Sequence, residues 1–239
     1  MTDRSGTMTG AVDRAMALPA RVGGAALATA VRGLKLARPD EKPLHPRGDY
    51  FRGTVTRFGG GDSGVPWLDD TGTDEVVVRM SRAIGLPRPW PDVRGIALRL
   101  QLGDRESDLL FATTGWGRLT RFLLTAAWKA DRQPYTTLLP YRTPQGPVVL
   151  GLRPDGQGVF HLERAFGTGE WKPFGRLVLD GRYAGPALSF DPIAAPVPGL
   201  PPYAWVAALR RPSYRTAQKG RSGAAQPTPG DHTERGGPV

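Results

Sequence analysis

The sequence predicts an α+β fold that is mainly β: an antiparallel barrel with flanking N-terminal and C-terminal helices. Short alternating or β-branched apolar runs follow one another from about residue 50 to 180, separated by turn signals. Strands of that length and spacing close into sandwiches or barrels. Glycine (32) and proline (24) are abundant, which favours many short elements over long helices. Apolar positions at looser, helical spacing occupy 10–35 and 203–221.

The elements follow in order. Residues 1–9 read as disordered. Val12, Met16, Val22, Leu27, Val31 and Leu34 give 10–35 its helical pattern. Pro19 and the Gly23-Gly24 pair split it into two short helices, and Pro39 and Pro43 end it. Strands are expected at Tyr50–Phe58, Glu75–Ser81, Gly95–Leu102, Asp108–Thr113, Tyr135–Tyr141, Pro147–Arg153, Val159–Phe166 and Arg176–Leu179. Ile96, Leu98 and Leu100 share one face of the third. Gly59-Gly60-Gly61, Pro154-Asp155-Gly156 and Asp180-Gly181 read as turns. Periodicity leaves 118–129 open between helix and strand. Residues 186–202 are proline-rich and read as a coiled crossing segment. The helical pattern of 203–221 is interrupted by Pro212, which kinks or restarts it. Residues 10–221 are expected to form a single domain, and 222–239 a disordered tail.

Composition narrows the function classes. There is no cysteine, which removes disulfides, thiolate metal sites and cysteine nucleophiles. The only histidines are His45, His161 and His232, too few for a multi-histidine metal centre. The formal net charge is +10. Its cations are mostly arginines scattered among acidic residues, with no long like-charge block, so no nucleic-acid partner is expected. Val22–Val31, the longest apolar stretch near the start, is too short to span a membrane. Asp3, Asp13, Pro19 and Arg21 spoil a signal peptide. A cytoplasmic protein is the expectation.

Three separated segments carry candidate chemistry. The first is Lys42-Pro43-Leu44-His45-Pro46-Arg47-Gly48, followed by Gly53. A lone histidine before a strand is more often structural than functional. The second is Val78-Arg79-Met80-Ser81, then Asp92-Val93-Arg94-Gly95-Ile96-Ala97-Leu98-Arg99, then Asp108-Leu109-Leu110. Alone it reads as strand, turn and strand. The third is Arg210-Arg211-Pro212-Ser213-Tyr214, continuing through Gln218 to Arg221. An arginine four residues before a tyrosine is common by itself.

Together the three segments resemble the catalase family, and the barrel is accordingly expected to be catalase-like. His45 stands where that family has its distal histidine, with Arg47, Gly48 and Gly53 at matching offsets. Lys42 replaces the usual arginine. Arg210, Tyr214 and Arg221 reproduce the offsets around the tyrosine that ligates haem iron; Ser213 and Gln218 also fit. The resemblance implies a b-type haem with Tyr214 as its iron ligand. Lys42, Arg79, Arg210 and Arg221 would bind the cofactor, Lys42 and Arg79 through the propionates. Ser81 would fix the His45 ring.

The chemistry is coherent. Haem iron takes a tyrosinate ligand in catalase. Free tyrosine titrates near pH 10, and a guanidinium four residues away on a helix favours the phenolate. His45 would take a proton from a peroxide and return it to the leaving oxygen. The family's distal asparagine has no counterpart: Phe111-Ala112-Thr113-Thr114 stands there. Thr113 is the candidate replacement, able to bond a peroxide without copying an amide donor. The expectation is a weak or organic-peroxide peroxidase acting on peroxide or a small organic substrate, with a homodimer allowed. Alternatives are a haem-binding or haem-sensing protein without turnover, and a haem-free barrel holding a small apolar ligand. A hydrolase ranks last, because a two-metal site needs a His/Asp cluster. His161 alternates with Phe160 and Leu162 and reads as structural or surface; His232 lies in the tail.

Overall fold

The computed structural model describes residues 48–82 and 89–206. Its strands are β1 (Gly48–Phe58), β2 (Thr71–Arg82), β3 (Arg94–Leu102), β4 (Arg105–Thr113), β5 (Tyr135–Thr136), β6 (Tyr141–Thr143), β7 (Gly146–Pro154), β8 (Val159–Phe166) and β9 (Lys172–Arg182). A short helix, α1 (Pro66–Asp69), lies between β1 and β2. The sheet runs β5-β4-β3-β2-β1-β9-β8-β7-β6, and a further β5–β7 pairing closes it into a barrel, with β6 extending from β7. Every pairing is antiparallel.

Alternation decides which side chains fill the interior. Val78, Leu98, Leu109 and Leu150 are completely or almost completely buried and face inward. Edge-to-face packing of Trp67 on Phe174, centroids 5.5 Å apart, seals the end near α1. There the Arg164 guanidinium meets the Asp69 carboxylate at 2.7 Å. Burial pushes the Asp69 pKa up. The Ser63 N–H, Arg164, the Ser63 hydroxyl and the Val65 N–H overcome that and hold it at about 2.

The structure departs from the sequence reading at four places. The expected strand Tyr135–Tyr141 is broken into β5 and β6. Leu138 sits at φ 60°, a left-handed conformation uncommon outside glycine, and the Leu139 N–H turns back to the Thr137 carbonyl. Asp180-Gly181 is no turn. β9 continues through it, and a register shift opposite Arg52/Gly53 leaves Asp180 as the extra residue of a bulge. Segment 118–129 is neither a regular helix nor a strand: it holds a 3-10 turn at Thr120–Phe122 and isolated bridges to Thr114 and Asp92. The α1 helix was not expected; its proline at the first turn is a start signal hidden by its length.

The proline-rich crossing segment closes the barrel's seam. β5 has only two residues, so it links β4 to β7 only at one end. Further along, Asp108 donates its N–H to the Ala195 carbonyl and Ser107 its hydroxyl to that of Pro196. Pro202 bridges to Tyr141 on β6, and Val197 and Leu200 are buried in the gap. Helix begins at Ala204–Val206. The expected helices over 10–35, the rest of 203–221, and the disordered segments 1–9 and 222–239 lie outside the described residues. No helix among the described residues is long and apolar enough to cross a membrane.

Candidate functional site

Directly paired residues of an antiparallel sheet point to the same face. The register of β1 to β4 therefore sorts the candidate residues without ambiguity. Gly48 pairs with Ser81, Ser81 with Gly95, and Gly95 with Ala112, forming one row. The next row is Tyr50, Arg79, Ala97 and Leu110. Both rows lie on the outer face, opposite the core-filling Val78, Ile96, Leu98 and Phe111.

The two rows form a shelf with small residues at its centre. Gly95, Ala97 and Ala112 project nothing beyond Cβ. Arg79 stands at its side, its guanidinium 5.9 Å from the Tyr50 ring centroid. Tyr50 in turn donates to the Leu188 carbonyl at 3.3 Å and packs 6.2 Å from Tyr183. The Ser81 hydroxyl donates to the Gly95 carbonyl at 3.4 Å. Gly48 is glycine for a steric reason: a Cβ there would meet Arg79 Nε at 2.8 Å and the Met80 carbonyl oxygen at 3.0 Å. Gly53 has a similar reason, since a Cβ would lie 2.6 Å from the Val178 carbonyl oxygen. Both glycines of the first segment thus answer to close approach by a neighbouring strand, Gly48 chiefly by the Arg79 side chain and Gly53 by backbone.

Thr113 does not join the shelf. It follows Phe111 by two positions and shares its inward face. Its hydroxyl donates to the Thr125 carbonyl at 2.6 Å and accepts the Arg94 N–H at 3.1 Å. Those backbone bonds hold it away from any ligand on the outer face. The β4 residue that does face the shelf in this row is Ala112, which carries no donor.

Several residues of the second segment serve the scaffold. Asp92 is fully buried, pairs with Arg82 at 3.3 Å and exchanges backbone hydrogen bonds with Ala127. Arg94 donates to the carbonyls of Ala127 and Trp128. Together they pin 124–128 to the barrel rim. Arg99 grips the buried Asp108 with two bonds of 2.9 Å, and the same carboxylate accepts the Asp191 N–H at 2.6 Å. That hydrogen bond with Asp108 raises the already high Arg99 pKa against the opposing effect of burial. These scaffold roles arise from tertiary contacts that leave no local mark in the sequence.

On the far side of the barrel, Trp116 and Trp171 stack at 4.2 Å over Gly151, whose missing Cβ would strike the Trp116 ring at 2.7 Å. The buried Arg121 lies over Trp171 at 4.2 Å and donates to the Gly117 and Gly169 carbonyls. Burial and the neighbouring Arg118 lower its pKa. His161 is half-buried and meets Asp155 at 3.0 Å, in keeping with a structural or surface residue.

His45, Lys42, Arg210, Tyr214 and Arg221 lie outside the described residues. The structure therefore unites Arg79 and Ser81 on one shelf and separates Thr113 from them.

No family model matches the chain, and no curated protein does. Solved structures do. One is a bacterial catalase with a TM-score of 0.48 and 13% identity, the match covering 77% of this chain and 60% of that one. Another is a fungal catalase with a TM-score of 0.49 and 12% identity, covering 80% and 63%. The chain thus spans less than two thirds of the length of each.

Proposed function

We propose that this chain is a haem-binding, catalase-related protein whose cofactor lies against the outer shelf of β1 to β4. The observation that carries the reading is the strand register. It gathers Gly48 from the first segment, and Arg79, Ser81, Gly95 and Ala97 from the second, onto one face. The fit is one of shape and charge. Small residues leave space for a broad flat ligand, and Arg79 offers a guanidinium to a propionate. Bound haem would supply a redox-active iron for peroxide reduction.

The chain's own residues have separate tasks in this reading. Tyr214 provides the phenolate, and Arg210 favours its ionised form. Lys42, Arg79 and Arg221 neutralise the cofactor's carboxylates. His45 precedes Gly48 by three residues, so covalent reach keeps it within roughly 11 Å of the corner where Gly48 pairs with Ser81. From there its imidazole takes a proton from one peroxide oxygen and returns it to the other. Ser81 orients that ring. Thr113 has no task here.

A second reading is haem binding or sensing with little turnover. The specific observation in its favour is Ala112, a residue without a donor where β4 faces the shelf. Haemin titration of the full chain tests both readings. Tight binding that Tyr214→Phe and Arg79→Leu weaken supports the haem site. Peroxide turnover by the loaded protein then separates the two. Unaltered haemin binding in Tyr214→Phe would put the ligand elsewhere.

A further inference from the structure

Five of the seven exposed large apolar residues among the described residues gather on one rim: Trp90 (66% exposed), Leu119 (72%), Leu123 (60%), Leu124 (38%) and Trp128 (68%). Their proximity follows from backbone pairing. Asp92 bridges to Ala127, which sets the segments bearing Trp90 and Trp128 side by side. Thr114 bridges to Leu124, and the 3-10 turn Thr120–Phe122 carries Leu119 beside Leu123. The two tryptophans alone leave roughly 330 Å² in water, taking a Trp side chain as about 250 Å². That already reaches the size of the largest apolar patches on ordinary soluble proteins.

We infer that residues 10–35 of this same chain cover that rim. The inference is independent of the haem reading. Its ground is where the chain enters the fold. Gly48, the first described residue, pairs with Ser81 at the end of β2. The next residue, Arg82, donates to the Trp90 carbonyl at 3.0 Å. The N-terminal 47 residues thus join the barrel beside the rim. The C-terminal segment departs from another place, next to β6, where Pro202 bridges to Tyr141. Within the N-terminal residues, 10–35 holds Val12, Met16, Val22, Leu27, Val31 and Leu34, an apolar set at helical spacing. Burying such side chains against Trp and Leu removes apolar surface from water on both partners.

Charge predicts how the contact responds to salt. Arg14, Arg21, Arg32 and Lys35 stand against Asp13 alone in 10–35. Arg118, Lys129 and Arg132 stand against Asp131 alone among the exposed charges of 118–132, Arg121 being buried. Like charges repel across this contact, so apolar burial must hold it, and added salt screens the repulsion. An anionic membrane or nucleic acid on the same rim would respond in the opposite direction.

The absence of native cysteine makes the test direct. Leu27→Cys is paired with Leu123→Cys in the full chain and treated with a short bis-maleimide. A second protein pairs Leu27→Cys with Phe58→Cys, an exposed apolar site at the far end of β1. The expected result is intramolecular crosslinking to position 123 at least tenfold faster than to position 58, unchanged or faster in high salt. Equal rates at both sites overturn the inference, as do crosslinks only between molecules, which would place a second copy on the rim. Slower crosslinking to position 123 on adding phosphatidylglycerol vesicles, with co-sedimentation lost in Trp90→Ser/Trp128→Ser, also overturns it, because the rim would then belong to a lipid surface.

Discussion

Replacing Asp108 by alanine should destabilise the barrel by about 3 kcal/mol. The carboxylate is fully buried and accepts two bonds from Arg99 at 2.9 Å and one from the Asp191 N–H at 2.6 Å. Removing it leaves a guanidinium and an N–H without their acceptor. Breaking a buried ion pair from one side costs about 3–5 kcal/mol. The lower end applies because the Arg99 side chain keeps 17% of its surface in water and also meets Glu106 at 3.2 Å. For a protein of this size such a loss lowers the melting temperature by roughly 6–12 °C. Thermal unfolding followed by circular dichroism at neutral pH measures it. The double variant Arg99→Met/Asp108→Leu should recover most of the loss, since it removes both charges together. A fall of less than about 2 °C in Asp108→Ala would refute the view that this pair fastens the crossing segment to the seam.

Other predictions concern the barrel end and the shelf. Asp69 has its pKa held at about 2 against an ordinary 3.8. A lowered carboxylate pKa stabilises the fold above the ordinary value, and the benefit is lost as pH falls toward the folded one. Stability should therefore drop by about 2 kcal/mol between roughly pH 4 and pH 2. Urea titrations across that window should lose this step in Asp69→Asn, and an unchanged step would refute the assignment. Gly48→Val should displace Arg79, whose Nε lies 2.8 Å from the new Cβ position. Haemin affinity should then fall several-fold while far-ultraviolet circular dichroism stays as in the parent; full affinity would show that Arg79 takes no part. His45→Ala should keep haemin and lose peroxide reactivity by at least about tenfold, within the usual range for general acid–base catalysis. Undiminished turnover in stopped-flow measurements would remove His45 from the mechanism.

The fold was largely legible because strand alternation is a local signal. Val159–Phe166 and the inward Ile96, Leu98 and Leu100 follow directly from it. What escaped was set by tertiary context. Leu138 breaks a strand by adopting φ 60°, which no propensity of leucine announces. Asp180-Gly181 has turn chemistry, yet pairing with β1 absorbs it as a bulge. The site was legible only as clustering. The register brings Gly48, Arg79, Ser81 and the small residues between β1 and β4 onto one face, while the third segment lies outside the described residues. The inward placement of Thr113 was not legible, because sequence proximity to a motif does not reveal which face a strand residue takes. Its neighbour Ala112 holds the outward position. Arg99 and Asp108 are far enough apart in sequence that their pairing emerges only from the β3–β4 register.

In the proposed reading an iron porphyrin is held through the phenol at position 214. The most direct measurement is the electronic spectrum of the full chain reconstituted with haemin, beside that of Tyr214→Phe. An intense Soret band with tyrosinate-to-iron charge transfer is expected in the parent, and loss of that charge transfer in the variant. A parent that takes up no haemin, or two spectra that superimpose, would contradict it.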